Sequence, residues 1–205
     1  DEKDLMIRIN VDGTRNVLSA AKAAGVRRVI FTSSASAIGF RADGRSADET
    51  EPFTLPPERF WYAHSKVLAE KVVAEFVAQG LDVITLNPTV IIGPGDHNII
   101  SGTFIIETAR FQWLVPMSSG GLSVIDVRDV VQAQINAMEK GQSGERYLLT
   151  TANYPYRVWF KMIAEASGVK PPIFTSPDWM LEPTARLIET LRKVGINTPM
   201  DANQT

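Results

Sequence analysis

The sequence contains no cysteine and only two histidines, His64 and His97, among its 205 residues. The first absence excludes disulfides, thiolate catalysis and cysteine-ligated metals, and it is consistent with a reducing cytoplasm, where we place the protein. Because histidine is so scarce, a histidine-rich metal site is not expected either, and we predict no bound metal.

An excess of one charge and long hydrophobic runs are also absent. The 21 basic and 23 acidic residues give a net charge of −2, and like charges form only short pairs such as Arg27-Arg28. Binding to nucleic acid or to an anionic membrane is therefore not expected. No apolar run approaches the roughly 18 residues of a membrane span. With 44% hydrophobic and 21% charged residues, the composition is that of a globular protein.

The hydrophobic pattern alternates between helix and strand. A helix is predicted over 4–24, a strand over 28–33 and a long helix over 58–79, followed by the buried-type strand LDVITLNP. Further along the chain the pattern predicts a helix near 102–112, a strand LSVIDV, a helix DVVQAQINAMEK, a strand ERYLLT, a helix YRVWFKMIAEAS and a final helix over about 179–194. Such alternation indicates an α/β fold with a doubly wound, mostly parallel sheet of the Rossmann type.

The alternation of strands and helices ends at about residue 151, which divides the chain into two predicted parts. Residues 1–150 would belong to the doubly wound domain, and residues 151–205 to a smaller, mainly helical region. A complete dinucleotide-binding fold has about six strands. This sequence offers three good candidates and a short one, so the predicted α/β domain is incomplete.

Three kinds of polar side chain are expected at one edge of that sheet. Ser33 and Ser34 end the first strand, and Asn87 ends the second. Tyr62 and Lys66 stand four apart on the long helix, so they would share a helix face. Functional groups of parallel α/β sheets collect at the carboxyl ends of the strands. A hydroxyl, a phenol and an ammonium could therefore converge on one crevice.

Such a trio suits proton transfer to or from a carbonyl or alcohol oxygen. A nearby cation favours the ionised phenol and lowers its pKa, and a serine hydroxyl can hold the substrate oxygen. No side chain carries a hydride, so redox chemistry would need a cofactor. Each feature also has an ordinary structural explanation. A Tyr-x-x-x-Lys pair can consist of solvent-exposed residues with no special role, and serines are common at the ends of strands.

Taken in order, several stretches resemble the extended short-chain dehydrogenase/reductase family. That family includes NAD-dependent sugar epimerases and dehydratases, and dihydroflavonol reductases. The resemblance covers about residues 5–150 and rests on NVDGTRNVLSAAKAAGVRRVIFTSS, TSSASAIG, YAHSK, NPTVIIGPGD, and VIDVRDVVQA followed by GERYLL. NPTVIIGP is most similar to the dihydroflavonol-reductase-like branch, and Ile38 stands where many sugar epimerases have tyrosine.

The resemblance implies a role for each motif residue. Tyr62 would be the catalytic acid/base, Lys66 would lower its pKa and bind the nicotinamide ribose, and Ser34 would bind the substrate oxygen. The cofactor would be NAD or NADP, and the residues implied to contact it are Asn10, Thr32, Ser33, Tyr62, Lys66, Pro88 and Val90.

The glycine-rich turn that begins such folds is not found in this sequence. Neither GPGD nor SSGG has the Gly-x-x-Gly-x-x-Gly spacing that cradles a pyrophosphate at a helix N-terminus. The resemblance implies that the first four strands precede residue 1 and that the C-terminus is also cut short. The strand VRRVIFTSS should then expose an unpaired edge.

Three functions remain open from the sequence. The first is an NAD(P)-dependent oxidoreductase acting on a ketone or secondary alcohol as its small-molecule substrate. The second is a nucleotide-sugar epimerase or dehydratase that does not consume its NAD, and the third is a non-catalytic dinucleotide sensor on the same fold. Relatives often form dimers through a helix pair that includes the Tyr62 helix, so a homodimer is possible in each case.

We predict that the 205-residue chain by itself binds NADH and NADPH poorly and is inactive, because the phosphate cradle does not lie within it. Calorimetric titration with both dinucleotides measures this directly. Micromolar binding would show that the cofactor site lies elsewhere than the motifs imply.

Overall fold

The computed structural model describes residues 2–41, 43–111, 117, 119–173, 175, 177–180, 183 and 190. The helices are α1 (Glu2–Ile7), α2 (Gly13–Ala23), α3 (Trp61–Ala78), α4 (Thr103–Phe111), α5 (Val127–Lys140) and α6 (Tyr156–Ser167). A π-helical segment, Arg8–Asp12, joins α1 to α2, and 3-10 turns cover Ala35–Ala37 and Asp178–Met180. The strands are β1 (Val29–Thr32), β2 (Val83–Pro88), β3 (Val90–Ile92), β4 (Gly121–Asp126), β5 (Arg146–Leu149) and β6 (Ala152–Pro155).

The chain divides into two compact units. The first consists of Asp1–Ile91 and Ile125–Thr151, and the second of Ile92–Val124 and Ala152–Thr205. This partition differs from the division predicted at residue 150, because residues 92–124 group with the C-terminal part of the chain.

The sheet of the first unit is parallel, with strand order β1-β2-β5. Val29 pairs with Val83 and Thr85 pairs with Arg146, so β2 is the central strand. All six residues of β2 are buried, as expected for a strand that is covered on both faces. Within the described residues β1 has a hydrogen-bonded neighbour on one side only, as predicted.

Helices cover both faces of this sheet, which confirms the predicted α/β class. On one face Val83 packs with residues of α2 and α3, including Leu18, Val73 and Phe76. Ile84 points to the opposite face and packs with Ala137 of α5. Successive strand residues alternate between faces, so Asn87 lies on the same face as Val83, towards α3.

A second three-stranded sheet has the order β3-β4-β6 and was only partly predicted. β4 corresponds to the predicted strand LSVIDV, but it pairs antiparallel with β6, with Gly121 opposite Pro155. The sequence pattern missed β3 and β6 because they are only three and four residues long and carry little apolar periodicity.

The helical predictions match the observed bounds closely where the structure describes them. Helix α6 covers the predicted YRVWFKMIAEAS and buries Trp159, Phe160 and Ile163. Most of the final helix predicted over 179–194 lies outside the described residues. No helix in the described part of the chain is both long and apolar enough to cross a membrane.

Gly39 supports a close backbone contact at the start of the loop that leads to α3. A Cβ at this position would lie 1.9 Å from the carbonyl oxygen of Pro52. We expect Gly39→Ala to lower the free energy of unfolding by about 1–3 kcal/mol, because the backbone must move to admit the methyl group. Denaturant unfolding measures the change.

Gly13→Ala is the matched control. Gly13 has helical dihedral angles, and apart from its chain neighbours and its own helical turn no atom lies within 4 Å of the added methyl group. This substitution should stabilise the protein by about 0.5–1 kcal/mol through helix propensity. Equal unfolding midpoints for the two variants would contradict the close contact at Gly39.

Candidate active site

Tyr62 and Lys66 lie together on the first turns of α3. The Tyr62 side chain is 45% exposed. Lys66 Nζ lies 5.9 Å from the centroid of its ring, within the range of a cation–π contact. The helix therefore presents a solvent-accessible phenol with a cation beside it, as the four-residue spacing predicts.

Lys66 is partly withdrawn from solvent. Burial lowers the pKa of its ammonium group, and the negative charge of Glu70 opposes this effect. Glu70 stands one further turn along the same face of α3. The row Tyr62-Lys66-Glu70 thus places a phenol, an amine and a carboxylate in sequence along one side of the helix.

Ser34 is the second residue after β1, and it caps the 3-10 turn Ala35–Ala37. Its Oγ accepts hydrogen bonds from the backbone N–H of Ser36 at 3.2 Å and from Ser36 Oγ at 2.9 Å. A hydroxyl has one donor and two acceptor positions. Since both of these bonds are accepted, the Ser34 proton remains available to donate to another oxygen.

The first unit brings this serine turn and the tyrosine helix together. The 3-10 turn packs against α3. Asn87, at the end of β2, donates from Nδ2 to the Ser34 carbonyl at 2.9 Å and to Glu70 Oε1 at 2.7 Å. The strand ends and the helix are therefore joined through one buried amide.

Asn10 contacts the first turns of the same helix. Its Nδ2 donates to Ser65 Oγ at 2.9 Å, and Ser65 Oγ donates to the Tyr62 carbonyl at 2.7 Å. Asn10 stands in the π-helical segment, a departure from the α-helix that is common at functional sites. The sequence identified the residue by resemblance, but not the π-helical geometry that holds it.

The remaining cofactor candidates differ in their surroundings. Ser33 is 5% exposed, and its Oγ donates to Glu70 Oε1 at 2.5 Å. Thr32 is exposed and accepts from Gln134 Nε2 at 3.2 Å. Pro88 is the buried last residue of β2, and Val90 begins β3. The hydroxyl of Ser33 is thus engaged inside the protein, whereas that of Thr32 is at the surface.

A family profile described as the NAD dependent epimerase/dehydratase family matches residues 1–150. The chain belongs to this family. The match confirms the resemblance inferred from the motifs, and it covers the segments that carry Ser34, Tyr62 and Lys66.

Two curated relatives are more than 30% identical to the chain. The chain is 34% identical over 186 residues to a Synechocystis protein provisionally named dihydroflavonol 4-reductase, covering 87% of this chain and 53% of that protein. It is 32% identical over 197 residues to sterol demethylase protein B of Methylococcus capsulatus, covering 94% and 58%. The chain thus spans just over half the length of both relatives.

The fold is shared with a UDP-glucose 4-epimerase from Thermus thermophilus that was solved with NAD bound. The TM-score is 0.69 at 24% identity, over 82% of this chain and 57% of that one. At this identity the likeness shows the fold alone.

Sequence reasoning missed Glu70 as a neighbour of the candidate site. A signal was present, because a carboxylate continues the four-residue row from Tyr62 and Lys66 on a helix whose buried positions are mostly apolar, among them Ala69, Val73 and Phe76. The partners of this carboxylate come from three separate strands, so only the structure reveals them.

The lowered pKa of Lys66 predicts a pH-dependent contribution to stability. The folded chain gives up the Lys66 proton below the ordinary pKa of 10.5, whereas the unfolded chain keeps it up to that value. The unfolded state therefore binds more protons in this window, and stability rises with pH there. We expect the natural protein to gain stability relative to Lys66→Met as pH rises towards 10.5.

Chemical unfolding at a series of pH values measures this difference. Lys71→Met removes an exposed lysine from the same helix and serves as the matched control. Identical pH dependence in the two variants would show that the burial of Lys66 has no energetic consequence.

Proposed function

We propose that the protein is an NAD(P)-dependent oxidoreductase that interconverts a ketone and a secondary alcohol, with Tyr62 as acid/base. The observation that carries the proposal is the half-exposed Tyr62 phenol with Lys66 Nζ 5.9 Å from its ring. The phenol is accessible to a substrate, and an ammonium group lies beside its ring.

The donor set fits a nicotinamide cofactor and a carbonyl substrate. When bound, the reduced nicotinamide supplies a hydride to the carbonyl carbon. Ser34 Oγ donates a hydrogen bond to the carbonyl oxygen and stabilises the negative charge that develops there. Tyr62 Oη gives its proton to that oxygen and becomes a phenolate. The Lys66 ammonium stabilises the phenolate, and in the reverse direction Tyr62 takes the proton back.

The proposed substrate class is an apolar, ring-bearing molecule. Two relatives that are more than 30% identical are named for a dihydroflavonol and for a sterol, both of them fused-ring compounds. Ile38 supports the same class, because this position is buried and apolar where many sugar epimerases carry a tyrosine hydroxyl.

The family name favours one second candidate, a nucleotide-sugar epimerase or dehydratase. The same three side chains would move the proton, but the hydride would return to the substrate within one turnover. Net consumption of NADH or NADPH with ring-bearing ketones supports the oxidoreductase. Conversion of nucleotide sugars without consumption supports the second candidate.

Tyr62→Phe in the complete natural chain tests the catalytic role that both candidates share. We expect cofactor affinity to be unchanged and turnover to fall by about 100-fold or more, because the acid/base is lost while the ring remains. Fluorescence titration and steady-state kinetics measure the two quantities.

Tyr147→Phe is the control, since within the described residues the Tyr147 hydroxyl accepts a single hydrogen bond, from the backbone N–H of Gln142 at 3.2 Å. This variant should keep its turnover. Full activity in Tyr62→Phe would refute the proposed role of the phenol.

A further inference from the structure

The Glu70 carboxylate accepts hydrogen bonds from residues in or next to three different strands. Oε1 accepts from Ser33 Oγ at 2.5 Å and from Asn87 Nδ2 at 2.7 Å, and Oε2 accepts from an Arg146 nitrogen at 3.2 Å. The Glu70 side chain is only 15% exposed. Its donors come from the end of β1, the end of β2 and the start of β5.

Two of these donors adjoin the proposed substrate-binding serine. Ser33 precedes Ser34 in the chain, and Asn87 Nδ2 also donates to the Ser34 carbonyl at 2.9 Å. A displacement of the carboxylate would therefore be transmitted to the backbone that carries the Ser34 hydroxyl.

The third donor connects the carboxylate to the loop that follows the serine turn. Arg146 donates from Nε to the Glu49 carbonyl at 2.7 Å, and from its guanidinium to the Glu51 carbonyl at 3.4 Å. The Glu49 carboxylate in turn accepts from the backbone N–H of Leu148 at 2.9 Å. Arg146, which binds Glu70, is thus also held by the backbone carbonyls of Glu49 and Glu51.

On the helix side, Glu70 is rigidly connected to the proposed catalytic pair. It stands one turn beyond Lys66 and two turns beyond Tyr62, on the same face of α3. The hydrogen bonds of Glu70 to residues of the sheet restrain α3 against rotation about its axis and displacement along it.

We propose that Glu70 is a positioning residue that holds Tyr62 and Lys66 at a fixed distance from Ser34. This inference rests on the proposed function, since it assigns Glu70 a part in that chemistry. Glu70 does not touch the reacting atoms; it acts through the helix and through the strand ends.

A purely stabilising role explains this arrangement less well. A buried ion pair is often no more stabilising than apolar residues of similar volume, because both charges lose their hydration. Catalysis is more sensitive to geometry, since a displacement of about 1 Å between reacting groups can cost about 100-fold in rate. A carboxylate with three directional partners specifies position more narrowly than an apolar contact does.

The test uses Glu70→Ala in the complete natural chain, with kcat normalised to the concentration of active sites. We expect kcat to fall by about 10- to 100-fold, while the affinity for NADH or NADPH in fluorescence titration stays unchanged. A residue with only a structural role would reduce the fraction of folded protein, but not kcat per active site. Glu75→Gln alters an exposed glutamate on the same helix, paired with Arg15, and should keep the natural kcat.

Ser33→Ala provides a second and smaller change, measured in the natural and in the Glu70→Ala background. If Ser33 acts through Glu70, its loss lowers kcat in the first background and not in the second. Additive losses, or natural kcat in either single variant, overturn the proposal. Should Glu70→Ala fail to fold, Ser33→Ala alone decides between the two outcomes.

The result with Tyr62→Phe separates this inference from the proposed function. An active Tyr62→Phe variant refutes the proposed function itself. An inactive Tyr62→Phe variant beside a fully active Glu70→Ala variant refutes only the positioning role.

Discussion

The burial of β2 on both faces is the constraint on which the first unit depends. Because neighbouring residues of a strand point to opposite faces, Val83 supports the cluster with α2 and α3, while Ile84 supports the cluster with α5. The same alternation directs Asn87 towards α3, where its amide meets Glu70 and the Ser34 carbonyl. One strand thereby positions both the hydrophobic core and the polar contacts that adjoin the candidate site.

Along helix α3, the polar side chains of the candidate site become more buried from the N-terminal end onwards. Tyr62, at its N-terminal end, is 45% exposed, Lys66 is partly buried, and the Glu70 side chain is only 15% exposed. The helix begins at the surface and continues over the sheet, so a row with a spacing of four residues passes from solvent into the interior. The group proposed to meet substrate lies at the accessible end, and the group that meets the strands lies at the buried end.

The sequence predicted the elements whose hydrophobic pattern is long and regular. Strand β2 and helices α3 and α6 were found close to their observed bounds, because six to eighteen residues carry enough periodicity to define them. Strands β3 and β6 were missed because they are short and carry little apolar periodicity. The antiparallel pairing of β4 with β6 was also missed, since pairing depends on contacts distant in sequence.

The candidate site divides in the same way. The Tyr62–Lys66 pair follows from local spacing, so the sequence predicts its shared face. The π-helical segment around Asn10 and the convergence on Glu70 do not follow, because their hydrogen bonds join residues 17 to 76 positions apart. Local patterns therefore identify which side chains bear chemistry, whereas tertiary structure determines which side chains hold them in place.

The partners of Glu70 also explain why Lys66 lies beside Tyr62 and does not pair with this carboxylate. Within the described residues Lys66 forms no ion pair, and Glu70 Oε2 is bonded to Arg146 instead. The carboxylate still acts on Lys66 through space and opposes the effect of burial on its pKa. A direct Lys66–Glu70 pair would draw the ammonium group away from the phenol ring. Because Glu70 accepts hydrogen bonds from three other donors, its carboxylate favours the charged form of Lys66 without forming an ion pair with it.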